Sequence, residues 1–462
     1  MLPLGFVIFP FLIKFLIDVK SNKSFNKFFT YGFFYGLGLL IIYLIWIHNP
    51  FLVFEETRKF QILAFLFPAF LSVFFGFMFL IFKYLRSIFF FIIFTPFFFV
   101  ITEFTISNFF YGFPWISFSL ILSNNFFGLL LLKYFGIYTS SYIVIFLFIL
   151  PTLLIYKNIL KIKIKYYLIL HLPFVIIIFY CLFFLTDQKN QIKELNIDVH
   201  QIFSPIKNIN GELIQKNIIN QIKDSKEDLI IYGENNYPFL VFNKEFTNLI
   251  ENIEEKKVII GATRKENNKF YNSLLYLEKN NFQYFDKKIL VPFGEFLPLR
   301  NYLKFMEKIS GTQDFQKGSV DRIIKTKNKI NILPVICYEV IFLETFKKIN
   351  EKEIDLIINI TNDTWFGNKI GPYQHFYISR TRAALLNKPL VRVSNNGLSA
   401  IFDENGKIIK TTKLNQKNNF QYKLIITRNK SFYILHNILL IYVIFIFLIL
   451  LSINLFFNHA KR

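Results

Sequence analysis

The sequence predicts a polytopic α-helical membrane block, then an α/β domain outside the membrane, then one closing anchor. Of its 462 residues, 53% are apolar and 19% are aromatic. Several apolar runs approach or exceed the roughly 20 residues that a helix needs to cross a hydrocarbon core. Between 187 and 432 the apolar runs are short and alternate with polar stretches. The predicted domains are therefore 1–186, 187–432 and 433–462.

Seven membrane spans are predicted from the long apolar runs. They lie near 4–18, 29–48, 60–82, 87–104, 138–156, 166–186 and 433–457. The apolar stretch 105–137 contains Asn108 and Asn124-Asn125, so we predict a re-entrant or interfacial element there. Irregular backbone at membrane depth persists only where it is packed in protein or faces water.

Lysines and arginines in the short loops indicate the orientation, because they accumulate on the cytoplasmic side. Such clusters follow the first, third and fifth spans and the last one, at Lys20–Lys27, Lys83–Arg86, Lys157–Lys165 and Lys461-Arg462. Placing them all inside puts Met1 and the domain 187–432 outside the cytoplasm. No cleavable signal peptide is evident, because no small-residue cleavage site follows the first span.

Two cysteines and a strong positive charge limit the possible functions. Cys181 lies in a predicted span and Cys337 in the α/β domain, so they do not form a disulfide framework. The net charge of +22 is partly explained by loops that face anionic lipid, and the predicted membrane location argues against nucleic acid. No His or Cys spacing predicts a metal, and no cofactor is expected.

Near-continuous Ile, Leu and Val runs predict strands that are covered on both faces. The predicted strands are 195–202, 228–233, 257–263, 289–293, 330–337, 355–361, 389–395 and 398–402. Their alternation with helical stretches predicts an α/β class with layered strands.

Three ionisable residues at predicted strand ends form a candidate nucleophilic site. Cys337 ends one strand, Glu234 follows another, and Lys287 precedes a third. A Cys nucleophile needs a base to take its proton, for which Glu234 is the candidate. Lys287 would stabilise the thiolate and then the oxyanion of a tetrahedral intermediate. Simple burial is the alternative for Cys337, because free cysteines are often buried.

Motifs around these residues resemble the apolipoprotein N-acyltransferases, membrane members of the nitrilase (carbon–nitrogen hydrolase) superfamily. The matching segments are Gly112-Phe113-Pro114-Trp115, Asp286 to Pro298, Ile336-Cys337-Tyr338-Glu339, Thr361 to Gly367, Gly371 to His375, and Arg392 to Gly397. The resemblance implies an αββα nitrilase-like sandwich on the periplasmic side of the inner membrane, and a Glu234–Lys287–Cys337 triad. It implies ping-pong transfer of an acyl group from a phospholipid, usually phosphatidylethanolamine, to the α-amine of a diacylglyceryl-cysteine lipoprotein.

The resemblance also implies supporting roles for residues near the triad. Glu295 would orient Lys287 or the thiol, and Tyr338 and Glu339 would line the pocket or brace its loops. Trp365 and, in the membrane block, Trp115 would lie on the substrate side.

The chain departs from the family pattern at several positions. Tyr232-Gly233 replaces the usual Trp-Pro, Ile289 replaces a frequent His, Leu385 replaces a common Glu, and the first family helix is expected to be missing.

Two other functions are compatible with parts of the sequence. A membrane-tethered nitrilase-type amidase would use the same triad and resolve the thioester with water. A transporter or receptor would place ionisable residues within the spans, where this chain has few.

Overall fold

The computed structural model describes residues 8–9, 11–16, 25–85, 88–155, 179, 191–204, 210–279, 281–319, 322–326, 329–347, 349, 353–427 and 431. The described residues form two compact units. We call them the helical unit, which contains 25–45 and 62–155, and the sheet unit, which contains 46–61 and the described residues from 191 to 427. The segment 46–61, which the sequence assigns to the membrane block, belongs to the sheet unit by its contacts.

Four long helices build the described part of the helical unit: α1 Phe25–Tyr43, α2 Leu66–Phe82, α3 Ile88–Asn108 and α4 Phe126–Ile149. Shorter pieces are the 3-10 helices Gln61–Phe65 and Phe118–Leu122 and the α-helix Pro151–Ile155. Helices α1 and α2 approach closely at Gly32, where an added Cβ would lie 2.5 Å from the Phe75 carbonyl oxygen. Small residues at helix contacts permit this approach in membrane proteins.

Two helices in the described ranges, Gln61–Phe82 and Phe126–Ile149, are long and apolar enough to cross a membrane. A bent pair of helices within residues 27–53 adds a third if it counts as one span. The predicted spans at 166–186 and 433–457 lie outside the described residues, apart from position 179.

Helix α4 begins at Phe126, so its first part lies in the stretch 105–137 for which a re-entrant or interfacial element was predicted. The Asn125 side chain caps the helix by accepting a hydrogen bond from the Gly128 amide. Gly136 then interrupts the helix with a φ of 74°, a conformation that glycine adopts at little cost. In this part of the described chain, irregular backbone therefore occurs between α3 and α4 and again at Gly136 within α4.

Twelve strands in the described residues form two six-stranded sheets. The strands are β1 Gln191–Gln201, β2 Leu229–Tyr232, β3 Lys257–Glu266, β4 Lys269–Glu278, β5 Asn281–Asp286, β6 Ile324–Lys325, β7 Asn331–Ile336, β8 Leu356–Thr361, β9 Leu390–Ser394, β10 Ala400–Phe402, β11 Ile408–Thr411 and β12 Asn418–Thr427. Their orders are β12-β1-β2-β3-β4-β5 and β11-β10-β9-β8-β7-β6. Each sheet has three parallel central strands, β1-β2-β3 and β7-β8-β9, flanked by antiparallel partners.

The two sheets pack face to face with helices on their outer faces. Their shared core includes Val199 and Ile231 from one sheet and Ile358 and Val393 from the other. Outside the first sheet lie α5 Gly211–Asp224 and α6 Lys244–Glu251, and outside the second lies α7 Ile370–Leu386. This is the nitrilase-like αββα sandwich that the resemblance implies.

Short helices complete the sheet unit. The α-helices are Asn49–Val53, Glu55–Arg58 and Glu307–Ser310, and the 3-10 helices are Ile45–His48, at the junction with the helical unit, Lys304–Met306, Cys337–Ile341, Leu343–Phe346 and Asp363–Phe366.

The predicted strand at 289–293 was wrong. This segment is a loop, and two of its amide hydrogens go to carboxylates. The Ile289 amide donates to Glu339 Oε1, and the Val291 amide donates to Glu295 Oε2. The other seven predicted strands overlap observed ones, and β4, β5, β6, β11 and β12 were not predicted.

Candidate active site

Cys337 occupies the turn that directly follows β7. Its φ is +47°, which is uncommon for a residue with a Cβ and typical of strained positions at functional sites. The side chain is buried, and its Sγ lies 3.2 Å from Thr361 Oγ1 at the end of β8, within hydrogen-bonding distance. Burial raises the pKa of the Cys337 thiol, the Glu234 carboxylate raises it further, and the Lys287 ammonium lowers it. The net pKa is raised, so the resting side chain is a neutral thiol.

The Lys287 ammonium lies between two carboxylates. Its Nζ is 3.3 Å from Glu234 Oε1 and 2.9 Å from Glu295 Oε1. Burial by itself would lower the pKa of Lys287, but the charges of Glu234 and Glu295 outweigh it and raise the pKa. A fully buried cation is therefore held charged at neutral pH, as the paired-charge rule for buried ions requires.

Asn272 joins the two carboxylates, and sequence reasoning missed it. Its Nδ2 donates to Glu234 Oε1 at 2.8 Å and to Glu295 Oε1 at 2.7 Å. Its backbone carbonyl accepts from the Lys287 amide at 2.8 Å. An amide side chain just before the apolar run Leu274–Leu277 of β4 is the signal that would have located it.

Sheet topology explains why Glu234, Lys287 and Cys337 meet. Glu234 and Cys337 follow parallel strands of different sheets, and the Glu234 amide donates to the carbonyl of Thr361, whose hydroxyl contacts Cys337. Lys287 follows β5, and its charge interacts with both of the other two side chains. The structure thus brings together the three residues predicted as the triad.

Glu339 joins the loop that follows Lys287 to the turn that contains Cys337. It is fully buried, and it accepts from the amides of Lys288 at 2.6 Å and Ile336 at 2.9 Å. Arg322 forms an ion pair with it and also donates to the Asp286 carbonyl at 2.7 Å. Burial would raise the pKa of Glu339, but Arg322 and these amides lower it below its usual value.

A second buried ion cluster lies close to Cys337, and Thr361 contacts both. Asp363 pairs with Arg392 and with His375, whose Nδ1 lies 2.8 Å from Asp363 Oδ1. The charge on Arg392 keeps the pKa of Asp363 low despite burial. The side chain of Asp363 is fully buried.

The remaining predicted site residues differ in exposure. Tyr338 is buried beside Phe342, with ring centroids 5.0 Å apart. Trp365 is 38% exposed and lies 6.4 Å from the ring of Phe54. Trp115 is fully buried in the helical unit and stacks on Phe113, so any contact with a substrate would require its neighbours to move.

Two of the family departures are accommodated locally. The Gly233 amide donates to Asn236 Oδ1 at 2.7 Å, a bond that a proline could not make. Leu385 is buried in α7, where a carboxylate would need a partner.

The cluster combines a buried thiol, two carboxylates and a buried ammonium. A neutral thiol beside a carboxylate loses its proton as it attacks, and a fixed ammonium stabilises the oxyanion that forms. Within the described ranges, no three His, Cys, Asp or Glu side chains are grouped so that they would hold a metal ion.

Two protein-family models match the chain. The model described as Carbon-nitrogen hydrolase matches residues 243–427, and the model described as Apolipoprotein N-acyltransferase N-terminal domain matches residues 1–150. Lys287 and Cys337 lie within the first match, and Glu234 lies just before it.

Similar proteins carry the same description. A protein named apolipoprotein N-acyltransferase from Rickettsia prowazekii is 44% identical over 166 residues, which cover 35% of this chain and 33% of the relative. One from Wigglesworthia glossinidia brevipalpis is 29% identical over 424 residues, covering 85% and 82%. The match thus spans only about a third of the first relative. Among solved structures, Saccharomyces cerevisiae Nit3, of branch 10 of the nitrilase superfamily, is 15% identical with a TM-score of 0.41, covering 52% of this chain and 93% of that one.

Proposed function

Because the chain belongs to the apolipoprotein N-acyltransferase family, we propose that it transfers a fatty acyl group to lipoproteins. The donor is a phospholipid, with phosphatidylethanolamine the leading choice. The acceptor is the α-amine of an N-terminal diacylglyceryl-cysteine. The acyl group is first bound to Cys337 as a thioester intermediate, so the two half-reactions follow a ping-pong order. This is the last step of lipoprotein maturation.

The observation that carries the proposal is the buried contact of Lys287 with Glu234 and Glu295 beside the Cys337 turn. A neutral thiol needs a base within reach when it attacks, and Glu234 is that base. A carbonyl under attack needs a charge that is already in place, and Lys287 supplies it. Glu295 holds Lys287 when Glu234 is protonated.

In the first half-reaction, Cys337 Sγ adds to the carbonyl carbon of a phospholipid ester, and its proton passes to Glu234. Lys287 donates a hydrogen bond to the resulting oxyanion. The carbon–oxygen bond to glycerol then breaks, and the departing oxygen takes the proton from Glu234. The products are a lysophospholipid and an acylated Cys337.

In the second half-reaction, the lipoprotein amine adds to the thioester carbonyl and gives a proton to Glu234. The carbon–sulfur bond breaks and the proton returns to Sγ. The product is an amide, and the enzyme regains its neutral thiol. Because the same groups serve both directions of proton transfer, no cofactor is required by this scheme.

The proposed location is the inner membrane, with the sheet unit in the periplasm. The apolar helices and the family support a membrane protein. The loop lysines and arginines support the orientation, because they favour the cytoplasmic side.

Intact mass spectrometry of the detergent-purified chain tests the proposal. Incubation with phosphatidylethanolamine is expected to add one acyl mass that hydroxylamine removes, and Cys337→Ala is expected to gain none. Addition of a diacylglyceryl-cysteine peptide should then return the protein to its unmodified mass and yield the N-acyl peptide. Loss of the adduct to water at the same rate without peptide would favour the amidase, and absence of any adduct on folded protein would contradict the proposal.

A further inference from the structure

The Thr361 hydroxyl lies between the nucleophile and a fixed negative charge. Its Oγ1 is 3.2 Å from Cys337 Sγ and 3.1 Å from Asp363 Oδ1. The side chain is fully buried at the end of β8. A hydroxyl has one proton to donate, so it cannot donate to both acceptors at once.

Asp363 stays charged and fixed in place whether the Thr361 hydroxyl donates to it or to Cys337 Sγ. Its carboxylate is held by Arg392 and by His375, and Arg392 is itself held by Asn359 Oδ1 at 3.1 Å and Ser379 Oγ at 3.0 Å. His375 also hydrogen-bonds the backbone of Cys337. The carboxylate is therefore a permanent acceptor that does not depend on Thr361 for its own stability.

The charges that face Sγ come from three sides. Glu234 and Asp363 oppose ionisation of Cys337, whereas Lys287 and the Thr361 hydroxyl favour it. Glu295 and His375 act on Sγ through Lys287 and Asp363 respectively. Of the groups that favour a negative sulfur, only Thr361 can change partner by turning a single bond, since Lys287 is held between two carboxylates.

We propose that Thr361 is a hydrogen-bond switch for the nucleophile. It donates to Asp363 when Cys337 is a thiol or a thioester, because sulfur is then a weak acceptor. It turns and donates to Sγ when the sulfur carries negative charge, during attack and again when the carbon–sulfur bond breaks. The proton stays on Oγ1 throughout, so no covalent step is added.

The acyl-transfer part of this inference rests on the proposed function, but the hydrogen bond to the thiolate does not. Hydrogen bonds to a charged partner are about twice as strong as neutral ones. Removing the hydroxyl while keeping the side-chain shape is therefore expected to slow acylation of Cys337 by roughly tenfold or more. Thr361→Val removes the hydroxyl, Thr361→Ser retains it, and Thr361→Ala serves if the valine variant does not fold.

The deciding experiment is the pH dependence of Cys337 alkylation by iodoacetamide in the full-length, detergent-purified chain. Quantifying the tryptic peptide that contains Cys337 separates it from Cys181. Thr361→Val is expected to shift the alkylation midpoint to higher pH, and Thr361→Ser to restore it. Thr326→Val is the matched control, because it removes another buried threonine hydroxyl, near β6, and should leave the midpoint unchanged.

A valine variant with the wild-type midpoint would overturn the inference, as would a serine variant that behaves like valine. The alkylation readout needs no phospholipid, so it stands even if no acyl-enzyme forms. If wild type does form the acyl-enzyme, an unchanged acylation rate in Thr361→Val would overturn the role in transfer while leaving the proposed function intact.

Discussion

At the scale of single residues, two carboxylates share the Lys287 ammonium. The proposed base, Glu234, can therefore be replaced without leaving the buried ammonium unpaired. In Glu234→Gln the ammonium keeps Glu295, and the new amide oxygen can still accept from Asn272. We expect a folded protein whose acylation by phospholipid is slower by about 10²–10⁴. The measurement is the rate of acyl-enzyme formation by mass spectrometry. Glu255→Gln, at a side chain that is 80% exposed, should acylate at the wild-type rate.

The buried ion pair of Glu339 with Arg322 makes the stability of the folded chain depend on pH. Its pKa is lowered in the folded chain from the ordinary value of 4.5, mainly by Arg322 against the cost of burial. Its contribution is therefore fully present above about pH 4.5 and is lost as the pH falls through the lower folded value. Glu339→Gln should lower the thermal midpoint at pH 7, because it leaves Arg322 buried without its charge partner. It should also flatten the fall in midpoint below pH 4.5, and a fall as steep as in wild type would contradict this role.

At the scale of elements, two side chains of the segment 46–61 donate hydrogen bonds to the rest of the sheet unit. Trp46 Nε1 donates to Gln374 Oε1 at 2.8 Å, and Asn49 Nδ2 donates to the Phe366 carbonyl at 3.0 Å. Trp46 also meets the Phe366 ring edge-on at 4.9 Å. The same short turn carries Trp365, so the position of this predicted substrate-side residue depends on a segment that is remote in the sequence.

Gly367→Ala is expected to undock that segment. Gly367 has a φ of +75°, and an added Cβ would lie 2.4 Å from Asn49 Nδ2. We expect faster limited proteolysis within 46–61, since the alanine displaces Asn49 and strains the turn. Gly311→Ala controls for strain alone, because its φ is +81° but no atom lies within 4 Å of the added Cβ. Equal proteolysis of the two variants would show that the Asn49 contact does not hold the segment.

Strand prediction succeeded where burial is continuous and failed where carboxylates or turns decide the backbone. The runs around β2, β7, β8 and β9 are apolar on both faces, which marks central strands. The hairpin β3–β4 was missed. Its turn residues Asn267 and Asn268 both have positive φ, the conformation of a type I′ turn, which asparagine adopts more readily than most residues. The loop at 289–293 is as apolar as a strand, but its amides bind the nearby carboxylate of Glu295 and the distant one of Glu339.

At the scale of the whole molecule, hydropathy separated a helical unit from a sheet unit, but it did not reveal which unit holds 46–61. That assignment depends on contacts such as Asn49 to Phe366, which are 317 residues apart in the chain. Glu234 and Cys337 could be located from the sequence because each follows a recognisable apolar run, whereas Lys287 was placed by a strand at 289–293 that the structure does not have. Asn272, Thr361 and Arg322 could not be located in this way, because their roles come from distances across the fold between strands that are separate in sequence.

Orientation of the whole chain in the membrane gives the last prediction. The loop with Lys83 should face the cytoplasm, and the sheet unit should face the periplasm, because loop lysines and arginines favour the inner side. Tyr302 is 83% exposed in the sheet unit and Tyr84 is 60% exposed beside Lys83, so each can carry a cysteine at the surface. In a background with Cys181→Ser and Cys337→Ser, Tyr302→Cys should react with a membrane-impermeant maleimide in spheroplasts. Tyr84→Cys should react only after the membrane is opened. Labelling of Tyr84→Cys in intact spheroplasts, with Tyr302→Cys protected, would reverse the proposed orientation and place the site on the cytoplasmic side, away from the proposed lipoprotein acceptor.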